Sequence, residues 1–245
     1  MQTQLDQGHK VIVFDAVKQI HLDLVAEIGL SSFPGIIFTG STGLAKSVAE
    51  LLKLDVPSVR EDFTTAAQLD NILWLYGTAS EKAIHQVDYL VTRTSCTKIV
   101  LEAEMLAKRM SKRLLFQMAA DAADILKKES LIMQLSPKSV QGIGYATDDV
   151  LKGLTRLTLE LLRIQKPGCL FLTGGDTADA VLHEAGVRYL RLEQELDCGI
   201  VKARCHGELL DQQLIVTKAG SFGSHDILLN IWQRLTSTER ATVEK

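Results

Sequence analysis

No CxxC pair, no long basic run and no apolar stretch of membrane-spanning length occurs in these 245 residues. Each absence excludes something. Four scattered cysteines (Cys96, Cys169, Cys198, Cys205) give no disulfide framework. Cys198, Cys205 and His206 come nearest to a ligand set, and their spacing fits no common zinc pattern. Free thiols acting as small core residues in a reduced compartment are expected instead. A net charge of −3, with no basic run beyond two or three residues, predicts no nucleic-acid partner. The missing transmembrane run, and an N-terminus (MQTQLDQGHK) without a signal-peptide pattern, predict no membrane and a cytoplasmic protein. There is no tandem repeat and no low-complexity segment. The phosphate loop GxxxxGK[ST], the dinucleotide fingerprint GxGxxG and the hydrolase elbow GxSxG are all missing. Ser41 and Ser221 lie in turns with no obvious histidine partner, which leaves a serine hydrolase without its defining feature.

What is present is an ordinary globular composition, 46% hydrophobic and 23% charged, enough for one large or two small domains with a real core. The most informative stretch is 169–186, CLFLTGGDTADAVLHEAG. It reads as a buried strand over 169–172, a tight turn over 173–177 and a helix over 178–185. Its two glycines let the backbone turn sharply and let a ligand come close. Asp176 or Thr177 is placed to cap the helix, whose free amides and dipole favour an anion such as phosphate. The same order, apolar strand, then glycine with a hydroxyl, then helix, recurs over 36–52, 72–89 and 214–235. Four such units predict an α/β fold: a mostly parallel sheet flanked by helices, whose strand ends form one polyanion-binding rim. A short antiparallel ribbon is expected near 187–217, where residues 187–192 and 200–204 alternate like half-exposed strands.

Other elements follow from local pattern. Residues 10–15 (KVIVFD) and 35–39 read as parallel strands, placing Asp15 and Ser41 at neighbouring strand ends. A helix over 21–28 should stop at Gly29. Residues 53–70 read as a connection between two lobes. Strands are expected over 89–92 and 113–118, and a helix over 99–110. Gly142 and Gly144 mark a loop, after which Thr147 caps a long helix over 148–164, with Asp148 and Asp149 in its first turn. The polar tail beyond 235 is expected to fray.

Three turns carry the chemistry a nucleotide needs. Gly174, Gly175, Asp176 and Thr177 offer amides, an acid and a hydroxyl. Thr78 and Ser80 offer hydroxyls at a helix start. Gly220 lies in KAGSFG, which brings a lysine and glycines. Each has a plainer reading: a tight connection at Gly174-Gly175, helix caps at Asp176, Thr78 and Ser80, a solvated strand end at Lys218, and surface positions at His183 and His225.

Taken together, VIVFDA, FTGSTGLAKSVAELL, the LYGTAS turn, and LTGGDTADAVLHEAG followed by VTKAGSFGSHDILLNIW resemble the four-carbon acid sugar kinase family, mainly its C-terminal nucleotide-binding domain. The resemblance implies an ATP-dependent kinase acting on a hydroxyl of a small sugar acid, usually with Mg2+. It implies ATP contacts at Thr78, Ser80, Gly174, Gly175, Asp176, Thr177 and Gly220. Residues 1–55 then correspond to the trailing part of a substrate domain and 70–236 to the nucleotide-binding domain. The family's acidic DDxTG motif, which recognises the sugar acid and supplies a base, does not occur here. The expectation is therefore a shortened gene product or a piece that lacks the N-terminal substrate domain, or a homo-oligomer. It should bind ATP better than it turns over substrate, and no catalytic residue is assigned. The alternative is a non-catalytic nucleotide-binding or regulatory subunit that pairs with a separate substrate domain.

Overall fold

The computed structural model describes residues 2–53, 69, 71–78, 80–108, 110–136, 147–220 and 222–236. Most of the connection expected over 53–70, the loop at Gly142 and Gly144, Ser221 and the tail beyond 236 lie outside them. The chain divides into two units, residues 1–60 and 61–245.

The first unit holds helices α1 (Gln2–Asp6), α2 (Gln19–Ser32) and α3 (Thr42–Leu51). α2 and α3 are joined by a polar knot. Gln19 Nε2 donates to the Gly43 carbonyl at 3.0 Å, and Ser47 Oγ donates to Asp23 Oδ1 at 2.7 Å. Two expectations fail here. Residues 10–15 and 35–39 are not strands, and Val11, Val13 and Ile37 are exposed. Their β-branched pattern needs a neighbouring strand to become a sheet, and no described residue of this unit supplies one. Asp15 and Ser41 therefore do not sit at strand ends. Nor does Gly29 stop its helix. α2 runs three residues further, and Gly29 is buried where a methyl group would run into the Phe38 ring. Its small size serves packing, not termination.

The second unit is built on one seven-stranded sheet among the described residues. Its elements are β1 (Ile72–Tyr76), α4 (Glu81–Val91), β2 (Thr97–Leu101), α5 (Ala103–Ala107), α6 (Lys112–Leu126), β3 (Leu131–Leu135), α7 (Thr147–Ile164), β4 (Cys169–Thr173), α8 (Gly175–Glu184), β5 (Val187–Asp197), β6 (Ile200–Gly207), β7 (Leu214–Lys218) and α9 (Ile227–Thr236). The strand order is β2-β3-β1-β4-β7-β6-β5. The first five strands in that order run parallel, and β6 pairs antiparallel with both β7 and β5. The α/β sheet and its antiparallel ribbon are as the sequence predicts.

β1, β3 and β4 are buried at every position, and β1 and β4 accordingly read as apolar runs that do not alternate, whereas 131–135 is not read as a strand from the sequence. One face packs Ile72, Trp74 and Phe171 under Val87 and Leu90 of α4 and Leu228 and Ile231 of α9. Trp74 and Phe171 meet with ring centroids 4.4 Å apart. The other face packs Leu73, Leu75, Leu170 and Leu172 with α6, α7 and α8.

Five local expectations are corrected in this unit. Residues 89–92 continue α4, because Leu90 lies on the buried stripe of Ala83 and Val87. The helix expected over 99–110 is β2 followed by the short α5, since TKIVL finds a parallel partner in β3. The strand expected over 113–118 is the start of α6. Ser111 caps it, accepting from the Leu114 N–H at 3.2 Å, and its buried alanines at 119, 122 and 123 continue a helical stripe beyond the apolar run. α8 starts at Gly175 with Gly174 as its N-cap, so neither Asp176 nor Thr177 caps it. α7 begins at Thr147 itself, with Asp148 and Asp149 in its first turn.

Candidate functional site

β1, β4 and β7 are adjacent parallel strands, so three of the glycine-bearing turns leave the sheet side by side at its carboxyl edge. This is where open α/β sheets hold ligands. The turns also interlock. Gly174 takes φ +97, a conformation that suits glycine, and its N–H donates to the Lys218 carbonyl at 3.1 Å. Gly77 lies so close to Thr177 that a methyl group there would overlap the Thr177 hydroxyl. A Cβ on Gly220 would stand 3.7 Å from Thr78. Every residue expected at the site (Thr78, Ser80, Gly174, Gly175, Asp176, Thr177, Gly220) is on this rim.

Their chemistry differs in detail. Ser80 is the N-cap of α4. Its hydroxyl accepts from the Ala83 N–H at 3.3 Å, which leaves the hydroxyl proton to donate outward. Thr78 Oγ1 accepts from the Ser80 N–H at 3.3 Å. Gly175 and Asp176 are exposed in the first turn of α8, where the helix's unbonded amides and dipole favour an anion. A Cβ at Gly175 would meet nothing within 4 Å, so the space above this amide is open. Thr177, by contrast, is buried against Gly77 and serves the junction between turns.

Lys218 is not a solvated strand end. It is 2% exposed, and its ammonium donates to the carbonyls of Ala219 at 3.2 Å and Gly220 at 2.8 Å. Burial, helped by Lys82, lowers its pKa to about 8. Gln86 of α4 was invisible to the motif search. Fully buried, it donates from Nε2 to the carbonyls of Phe222 at 3.1 Å, Gly223 at 3.3 Å and Ser224 at 2.8 Å. The available signal was a polar side chain on the apolar stripe of Ala83, Val87 and Leu90.

Beside the rim lies a cavity of about 280 Å³ lined by Glu81, Lys82, His85 and His225. A larger cavity, about 640 Å³, includes Gly168, just before β4, and Leu214, the first residue of β7, so it lies at the opposite edge of the sheet. Glu193 there accepts from Arg204 Nε at 2.7 Å, and Lys202 Nζ is 4.0 Å away. That cavity is lined by Arg191, Glu193 and Arg204 and carries none of the glycine turns. Among the described residues no group of three or more His, Cys, Asp and Glu side chains could hold a metal ion, and no helix is long and apolar enough to cross a membrane. Cys205 is buried and Cys198 exposed, which separates two of the three residues considered as zinc ligands.

A mostly parallel sheet with glycine turns gathered at the ends of three neighbouring strands defines the class: an α/β domain. The chain belongs to the nucleotide-binding C-terminal domain family, whose model matches residues 73–228. A D-threonate kinase of Salmonella typhimurium is 25% identical over 236 residues, covering 91% of this chain and 53% of the relative. A crystal structure of a domain of unknown function from Bordetella bronchiseptica, a domain-swapped dimer with bound citrate, matches with a TM-score of 0.59 at 21% identity, over 96% of this chain and 55% of that one. A Haemophilus influenzae protein matches with a TM-score of 0.60 at 17% identity, over 96% of this chain and 56% of that one. The chain thus spans about half the length of the relatives it matches. The motif-level resemblance to the four-carbon acid sugar kinases is borne out by these matches.

Proposed function

We propose that the chain binds ATP along the rim of β1, β4 and β7, and that it supplies the nucleotide half of a kinase phosphorylating a hydroxyl of a four-carbon sugar acid. The observation that carries this reading is the convergence of three turns, tied by the Gly174 N–H to the Lys218 carbonyl. In this reading the amides of Gly175 and Gly220 face phosphate oxygens, the hydroxyls of Thr78 and Ser80 donate to them, and Gly174, whose N–H is held by the Lys218 carbonyl, shapes the turn around them. Thr177 belongs to the same site through its contact with Gly77. Phosphoryl transfer asks a protein mainly for such positioning and charge stabilisation. Mg2+ commonly takes one or two carboxylates plus substrate phosphates, and the exposed Asp176 fits that donor type. The ion would neutralise charge on the phosphates. Residues 1–55 then form part of a substrate domain and 70–236 the nucleotide domain, in a cytoplasmic enzyme.

Calorimetric titration of the full chain with ATP and Mg2+ tests the reading. Saturable binding is expected, and a folded sample that binds no nucleotide overturns it. Phosphorylation of D-threonate, the substrate that names the Salmonella relative, is the matching activity assay.

A second reading, a non-catalytic nucleotide-binding subunit that pairs with a separate substrate domain or with its own copy, is favoured by one observation. Val11, Val13, Val17 and Ile37 of the first unit are each more than three-quarters exposed. Apolar side chains so placed suit a protein contact. Sedimentation analysis that finds a strict monomer, together with kinase activity by the chain alone, rules this reading out.

A further inference from the structure

A row of polar side chains crosses the sheet just beneath the rim. Gln134, Tyr76, Thr173 and Lys218 are register partners on β3, β1, β4 and β7, and all are at least 98% buried. They stand on the face covered by α4 and α9. Gln134 Nε2 has no hydrogen-bond partner among the described residues, and Tyr76 Oη and Thr173 Oγ1 have at most each other. Buried polar groups of this kind are costly and call for a positional reason. The bonds of Lys218 supply one, because two of the three ammonium donors go to the carbonyls of its own following turn. Gln86 holds the carbonyls of the second half of the same loop from α4.

The consequence is geometric. A trans peptide sets its N–H opposite its C=O, and no cis bond occurs among the described residues. Drawing the Ala219 carbonyl onto the ammonium therefore turns the Gly220 N–H away from it. Fixing the carbonyls of Phe222 and Gly223 on Gln86 likewise turns the following amides, Gly223 and Ser224, away from α4.

We propose that Lys218 and Gln86 are positioning residues of the nucleotide site, Lys218 holding the carbonyls of 219 and 220 and Gln86 those of 222–224, so that the Gly220 amide is held toward the phosphates. Lys218 does this from below the rim and makes no phosphate contact itself. The inference rests on the nucleotide reading of the rim, and deepens it. The charge of Lys218 matters to it as well as its bonds. Lys82 of α4 is the cation acting on it, and His225 and Asp226 lie at the start of α9. Its register partners Thr173 on β4 and Ile200 on β6 are uncharged, and burial keeps the Tyr76 phenol on β1 protonated. Bound phosphate favours the ammonium form, so ATP affinity in the parent should fall severalfold as pH rises from 7 to 9.5.

The test uses the full chain with Lys218→Met, Lys218→Arg and Gln86→Leu. Two measurements are made: ATP·Mg2+ titration between pH 7 and 9.5, and amide hydrogen exchange without nucleotide. Lys218→Met should weaken ATP at least tenfold at pH 7 and flatten the pH profile. Lys218→Arg should keep most of the affinity and also flatten the profile, because its charge persists. Gln86→Leu should weaken ATP severalfold and leave the pH profile parental. Exchange across 214–224 should quicken in Lys218→Met and Gln86→Leu while 72–76 and 131–135 stay protected, which shows an intact sheet. Parental exchange across 214–224 in both variants overturns the clamp, whatever ATP does. An unchanged pH profile in both Lys218 variants overturns the role of its charge. A parent that binds no ATP overturns the nucleotide reading and this inference with it, and is distinguished by a loop that loosens in the variants without any change in ATP binding.

Discussion

The backbone N–H of Gly174 donates to the carbonyl of Lys218 at 3.1 Å. This bond continues the β4–β7 ladder one residue beyond the strands, into the two turns with the strongest motifs. It makes the GGDT and KAGSFG segments, more than forty residues apart in the chain, one structural object.

Gly174 tests that object directly. At φ +97 a side chain is strained, and a Cβ would stand 3.6 Å from the Thr177 hydroxyl. Gly174→Ala should cost about 1–3 kcal/mol in chemical denaturation. Gly174→Val should abolish ATP binding in the proposed site while the far-ultraviolet circular dichroism stays parental. Parental affinity in a folded valine variant would move the site elsewhere.

Gly77 tests the junction between the first two turns. A methyl group there overlaps the Thr177 hydroxyl and comes 2.9 Å from its Cβ. Gly77→Ala should therefore destabilise by roughly 2 kcal/mol or more, as overpacked sites do. Adding Thr177→Ala removes the overlapping hydroxyl, so the double variant should recover part of that loss. Strict additivity in the double-mutant cycle would contradict the contact.

Ser80 joins stability to binding. Its hydroxyl caps α4, so Ser80→Ala should cost about 1 kcal/mol. If the same hydroxyl donates to phosphate, ATP affinity drops severalfold beyond that. Ser80→Thr, which retains the hydroxyl, should recover most of both.

Alkaline pH separates the buried groups by sign. Lys218 is lowered by burial from 10.5 to about 8. Between those values the unfolded chain binds more protons than the folded one, so this group makes stability rise with pH from 8 to 10.5. The thiols of Cys169 and Cys205 are pushed up by burial from 9.0 to about 12, and the Tyr76 phenol is raised for the same reason. Their contribution is fully present below pH 9 and is lost as pH rises toward 12. Urea denaturation of the parent and Lys218→Met across pH 7.5–10.5 isolates the lysine: the parent should gain stability relative to the variant as pH rises from 8 to 10.5. A constant difference would contradict the placement of this ammonium in a buried position.

The sequence by itself determined two of the strands buried on both faces, β1 and β4, the turns that follow them and the long helix with its acidic first turn. These features are written locally. A run such as CLFLT must be buried, and Gly-Gly after it must turn. The motif residues were legible for the same reason. Only the tertiary structure decided which β-branched runs are strands. Residues 97–101 are a strand because β3 lies beside them, whereas 10–15 and 35–39 are apolar and β-branched as well and have no such neighbour among the described residues of their unit. It also decided the roles of Lys218 and Gln86. A lysine after a strand and a glutamine in a helix look like solvated positions until their environment is known. What Gln86 holds is a set of carbonyls more than a hundred residues away, brought to it by strand order, and strand order is a property of the packed sheet that no local pattern encodes.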